Sequence, residues 1–127
     1  MSNFVWASKK TNDEIATLSG NNITLNKSAS SYFELAYSVL LGLSEQDKLI
    51  AIRPLTKEEA VLGHVPEEQK HNITVKSSYS RICNKNFMEE VASLIGVSFQ
   101  DNKTYKYHAY WSPKEGALII DLSKMEE

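Results

Sequence analysis

The segment Lys103-Thr104-Tyr105-Lys106-Tyr107-His108-Ala109-Tyr110-Trp111 gathers the side chains of this sequence best suited to recognition chemistry. On a strand, alternate side chains share a face, so Tyr105, Tyr107 and Trp111 point one way while Lys106, His108 and Tyr110 point the other. Aromatic faces beside cations stack bases and hold phosphates in single-stranded nucleic-acid platforms, which makes Tyr105, Tyr107, Tyr110 and Trp111 candidate stacking residues. The same pattern describes an ordinary strand that buries Tyr105, Tyr107 and Trp111 and solvates its other face, the commoner use of strand aromatics and the one favoured here. A second set of cations, Arg81, Lys76, Lys85 and Lys27 with Lys9 and Lys10, can meet the phosphates of duplex DNA if the turns that carry them lie side by side. Glu34, Glu58, Glu59, Glu67, Glu68, Glu89 and Glu90 are neighbours in sequence and would repel DNA on any face they shared with those cations.

Catalytic or metal chemistry is not indicated. His64, His71 and His108 have no metal-ligand spacing with Cys83 or with carboxylates, and no Gly-rich phosphate loop, nucleophile elbow or apolar-flanked acid pair occurs. Cys83 with a distant histidine could supply a nucleophile and base, but a lone strand cysteine is more often a small buried apolar residue. The expectation is a non-enzymatic protein with no metal and no cofactor.

The elements that must position these residues belong to a chain of 127 residues, enough for one compact domain. With 42% hydrophobic and 24% charged residues it has a globular composition, and its formal net charge of -2 disfavours nonspecific coating of nucleic acid. No apolar run approaches the roughly 20 residues of a membrane helix. Met1-Ser2-Asn3-Phe4 lacks the start of a signal peptide, and the single cysteine suits a reducing compartment. A cytoplasmic protein without membrane partners is expected.

Periodicity predicts strands at Phe4–Ala7, Asn22–Leu25 and Leu49–Ile52, the last stopped or pushed to an edge by Pro54. Residues Ser30 to Leu41 are apolar on more than one stripe and predict a largely buried helix closed by Gly42. In the second half, strands are predicted at Asn72–Ser77 and Tyr79–Cys83. A helix over Asn86–Ile95 follows, with Asn86 as N-cap and Gly96 as C-cap. Strands over Lys103–Trp111 and Ala117–Leu122 flank a turn at Ser112-Pro113-Lys114-Glu115-Gly116.

These elements fall into two matched series. Gly42-Leu43-Ser44-Glu45-Gln46-Asp47 returns as Gly96-Val97-Ser98-Phe99-Gln100-Asp101. Each is preceded by an Asn-Lys pair, Asn26-Lys27 and Asn84-Lys85, and followed by Lys57-Glu58-Glu59-Ala60 or Lys114-Glu115-Gly116-Ala117. The implied fold is α+β: two pseudo-symmetric β-α-β-β lobes made by internal duplication and packed as one small domain, 1–127. The half-repeats are 1–63 and 72–124, with 64–71 as linker.

On the strand Ser80-Arg81-Ile82-Cys83-Asn84-Lys85-Asn86-Phe87, the turn Gly96 to Asp101 and the strands after it, the chain resembles the AbrB/MraZ family of swapped-hairpin transcription factors. The first half offers Asn21 to Asn26 and Gly42 to Asp47 to the same pattern. The sequence departs from the family in keeping only Arg81 of the usual Gly-Arg pair, and in having Asn26 and Asn84 where Pro is expected. The resemblance implies a small homo-oligomeric regulator that binds duplex DNA. The alternative is a protein-interaction or ligand-binding module without nucleic-acid binding, which the acidic balance supports.

Overall fold

The computed structural model describes residues 13–62 and 65–126; the strand expected at Phe4–Ala7, and Lys9, Lys10 and His64, lie outside them. β1 (Ile15–Leu18) and β2 (Asn22–Asn26) form a hairpin about Ser19-Gly20-Asn21, where Ser19 N donates to Asn22 O at 2.9 Å. Asn26 then caps α1 (Lys27–Ser30), its side chain accepting from Ala29 N at 3.0 Å, and a 3-10 turn over Ser31–Phe33 follows. A second hairpin pairs β3 (Ser38–Ser44) with β4 (Leu49–Leu55). Beyond it, Thr56 and Glu59 close a capping box on α2 (Lys57–Val61). β5 (Thr74–Val75) and β6 (Tyr79–Cys83) pair next and lead into α3 (Lys85–Ile95), and β7 (Tyr105–Ser112) pairs with β8 (Ala117–Met125).

The eight strands of the described residues belong to one antiparallel sheet in the order β3-β4-β8-β7-β1-β2-β6-β5, curled like a half-barrel. Its inner face is the core. Ile50 and Ile52 of β4 lie opposite Ile120 and Leu118 of β8, Ala16 opposite Tyr107, and Ile23 opposite Ile82. Phe33, Ala29, Met88 and Val91 come from the helical segments to fill the space enclosed, all of them fully buried. Inside this apolar volume a polar pair is satisfied: Ser30 Oγ lies 2.7 Å from Ser80 Oγ and donates to Leu25 O at 3.1 Å.

The two-lobe α+β arrangement is therefore corrected to a mostly antiparallel β fold built on a single sheet. A hairpin, an Asn-capped helix and another hairpin do occur in each half of the chain, but β8 and β7 of the second half lie between β4 and β1 of the first. Neither half keeps its strands to itself. Of the matched landmarks, only the Asn-Lys pairs occupy like positions, as N-cap and first helical residue. Gly42 to Asp47 runs from mid-strand into the β3–β4 turn, whereas Gly96 to Asp101 runs from a helix cap into a 3-10 turn. Lys57 to Ala60 is helical, whereas Lys114 to Gly116 is a hairpin turn and Ala117 begins β8.

The largest local correction is Ser30 to Leu41. Helix stops at Phe33, and Ser38 onward is strand, because the apolar residues are spread over more than one helical stripe and Val39, Leu41 and Leu43 find an inner face to fill opposite β4. The α3 cap is Asn84, not Asn86: its side chain accepts from Phe87 N at 3.0 Å. Gly96 ends α3 with φ +68, as its type predicts. Pro54 sits beyond Ile52, the last residue of β4 paired to β8, so its missing N–H breaks no ladder bond there.

The curled sheet is stitched at one point where its two ends approach. Val39 N donates to His71 O and His71 N to Val39 O, both at 2.9 Å, just ahead of β5. Burial pushes the His71 imidazole below the usual histidine pKa, and Asn84 Nδ2 lies 3.2 Å from Nδ1, where an unprotonated nitrogen accepts. A depressed folded-state pKa means the unfolded chain takes the proton first. Stability is then complete above about pH 6.5 and declines as pH falls below it. His71→Gln is expected to shrink the loss of urea stability between pH 7.5 and pH 5.5; an unchanged loss would show that this titration lies elsewhere.

Candidate functional site

β3 is the edge of the sheet, and its outer backbone is open beyond Val39. Because Val39 directs both its N–H and C=O away from β4 toward His71, and the β3–β4 register runs unbroken from Ser38 to Ser44, Leu41 and Leu43 direct theirs the same way. Among the described residues no backbone group bonds them. The 3-10 turn Glu67–Gln69 carries the chain that precedes His71 out of strand geometry, so the ladder begun at Val39 stops after one rung.

The opposite wall is the solvent face of α3. Met88 and Val91 point into the core, which leaves Asn86, Glu89, Glu90 and Ser93 on the far side of the helix. Two clefts meet at Glu90, one along the β3 edge and one between the β3–β4 turn and α3. One, of about 850 Å³, is lined by Leu40, Leu41, Gly42 and Ala51 with Glu68, Glu90, Glu115, Arg53 and His71 among its polar groups. The other, of about 910 Å³, is lined by Glu45, Asn86, Glu89, Glu90, Ser93 and Leu94. Among the described residues the single ion pair is Lys70 with Glu67 at 2.9 Å, so none of these groove carboxylates is ion-paired, although Arg53 lines the first cleft. The result is a strand edge whose outward donors and acceptors have no partner among the described residues, beside an acidic helix face and a surround in which glutamates outnumber cations.

The expected nucleic-acid residues are placed elsewhere. Arg81, on the outer face of β6, donates from Nε to Thr24 Oγ1 at 3.2 Å and sits 5.3 Å above the Tyr79 ring. Its row across the sheet reads Thr74, Arg81, Thr24, Thr17, Lys106, free of acids. Lys27 and Lys85 leave from opposite ends of the antiparallel β2–β6 pair, so the two strand-to-helix turns do not lie side by side. Lys76 is exposed in the β5–β6 turn.

Tyr107 is buried, Trp111 stacks at 4.7 Å on Tyr32, and Tyr105 meets Phe99 edge-on while donating to Ser98 O at 3.0 Å. All three face the core, while Tyr110 is on the outer face and 50% exposed. A hydrogen bond to Glu14, with burial, raises the Tyr32 hydroxyl to about 12, so Tyr32 supplies no phenolate near neutrality. Cys83, expected to be buried, is exposed. No group of three His, Cys, Asp or Glu able to hold a metal occurs among the described residues. No helix there is long and apolar enough to cross a membrane.

The sequence pointed to Arg81 and Lys85 but not to Leu41, Leu43, Glu45 or the acidic face of α3 as one site. The only local signal was the i, i+1 acid pair Glu89-Glu90 on the polar face of a periodic helix. Strand-edge status has none. No family model, curated protein or solved structure matches the chain.

Proposed function

We propose that this protein is a non-enzymatic interaction module that binds an extended, basic peptide segment of a partner by strand addition to β3. The single observation behind the proposal is the outer backbone of Leu41 and Leu43, unpaired among the described residues, with Leu41 in a groove that Glu90 of the acidic α3 face also lines. Main-chain bonds to a strand edge supply affinity independent of sequence, and the walls supply selection. Here the walls select lysine and arginine, through Glu45, Glu68, Glu89, Glu90 and Glu115.

The test uses a labelled ten-residue peptide alternating lysine and valine, with fluorescence anisotropy as readout. Affinity is expected to fall with added salt. Leu43→Pro removes one outward N–H without touching a bond to β4, and should weaken binding by about tenfold or more. Leu43→Ala keeps the N–H and loses only side-chain packing. Equal affinity of the proline and alanine variants would sink strand addition.

A second reading, duplex-DNA binding by an AbrB-like regulator, is favoured by the acid-free row from Arg81 to Lys106. It requires a protein-DNA affinity that drops steeply with salt and is lost on Arg81→Glu.

A further inference from the structure

At the end of the sheet where the β1–β2 turn meets the start of α3, a cleft of about 500 Å³ is lined by Ser19, Gly20, Asn21, Asn22, Lys85, Phe99, Asn102, Lys103 and Thr104. Among the described residues its lining holds two cations, three carboxamides and two hydroxyls, and no carboxylate. The nearest acid in sequence, Asp101, lies in the preceding 3-10 turn and is exposed outside the lining. This acid-free composition contrasts with the groove along β3.

The internal hydrogen bonds use up acceptors at the cleft and leave donors over. Asn21 Oδ1 already accepts from Asn22 Nδ2 at 2.9 Å and from Ser19 Oγ at 3.4 Å, and Asn21 O accepts from Asn84 N at 2.9 Å. The acceptors of Asn21 are thus satisfied by the protein, while its amide N–H groups find no partner among the described residues. Lys85 is the first residue of α3, whose first turn carries no acid to offset the positive end of its dipole. Asp101 and Asn102 both hold φ of +59, an unfavoured backbone for non-glycine residues that sets the wall of the cleft. One wall is aromatic: Phe99, held against Tyr105, comes so close to the β1–β2 turn that a Cβ on Gly20 would meet it at 3.3 Å.

We propose that the cleft formed by Lys85, Lys103, Asn21, Asn102 and Phe99 binds a small phosphomonoester. Its phosphoryl group lies between the two lysines and its organic body against Phe99. Two ammonium groups and amide donors match the oxygens of a doubly charged phosphate, and charge-assisted bonds of this kind are the strong ones. A ring or sugar fits the apolar wall, and a cleft of this size excludes a duplex.

Calorimetric titration of the full chain with adenosine monophosphate, adenosine and inorganic phosphate tests this directly. Adenosine monophosphate is expected to bind more tightly than inorganic phosphate, and adenosine not to bind. Lys85→Gln with Lys103→Gln should weaken it by about 100-fold, roughly tenfold for each lost charged donor. Phe99→Ala should lower affinity for the nucleotide and leave inorganic phosphate unchanged. Lys114→Gln, in the turn between β7 and β8 and outside the cleft lining, should leave both unaffected. Adenosine binding as well as its phosphate, or nucleotide affinity unchanged in the double lysine variant, would overturn the assignment. So would duplex DNA that binds through Lys85 and Lys103 while the mononucleotide does not.

Discussion

Phe33→Ala is expected to lower the stability of the protein by about 3–5 kcal/mol, the usual cost of deleting a fully buried phenylalanine in a site that cannot collapse. Phe33 is 0% exposed and comes from the 3-10 turn after α1 into the space enclosed by the curled sheet. The core cluster it belongs to includes residues of strands far apart in the sheet order, Ile52 and Val39 at one end and Leu25 and Ile82 toward the other. A sheet fixed by its ladder cannot close around the void, so transfer and cavity costs add. Urea unfolding measures the effect, with Phe33→Leu as the milder companion expected to lose less. A loss below about 1 kcal/mol for alanine would mean that Phe33 does not fill a common core.

Charge reversal at Glu89→Lys with Glu90→Lys is expected to weaken the lysine-valine peptide by about 100-fold at low salt, near tenfold for each attraction turned into repulsion. Both side chains are exposed on the face of α3 opposite Met88 and Val91, so folding should be retained. The deficit should shrink at high salt, because screening acts on exposed charges and leaves the backbone bonds of the strand edge intact. If the double variant bound the basic peptide as well as the original chain, the groove would not be its site. The Leu43→Pro experiment and this one separate the two halves of the recognition: backbone pairing on one wall, charge on the other.

The sequence alone disclosed much of the second half. Tyr79–Cys83, the helix closed by Gly96, and the two strands about Ser112 to Gly116 are where local signals agree: alternation for the strands, 3.6-residue spacing for α3, and a left-handed glycine at its end. The inward set Tyr105, Tyr107, Trp111 also follows from strand parity, since a period of two needs no knowledge of the partner strand.

What only the tertiary structure decided is which strands become neighbours. Ser38 to Ser44 is strand because β4 offers a register that turns Val39, Leu41 and Leu43 inward, and no periodicity within the segment says so. The interleaving of β8 and β7 between β4 and β1 could not be read from repeated landmarks, because like sequences were placed in unlike elements by different long-range partners. The candidate sites depend on that placement entirely. An open edge exists only once β3 is last in the sheet, and a donor-rich cleft only once Asn21, Lys85 and Lys103, spread over the chain, converge at one end of it. Local chemistry determines the shape of each element; free backbone groups and shared clefts arise from the order in which elements pair.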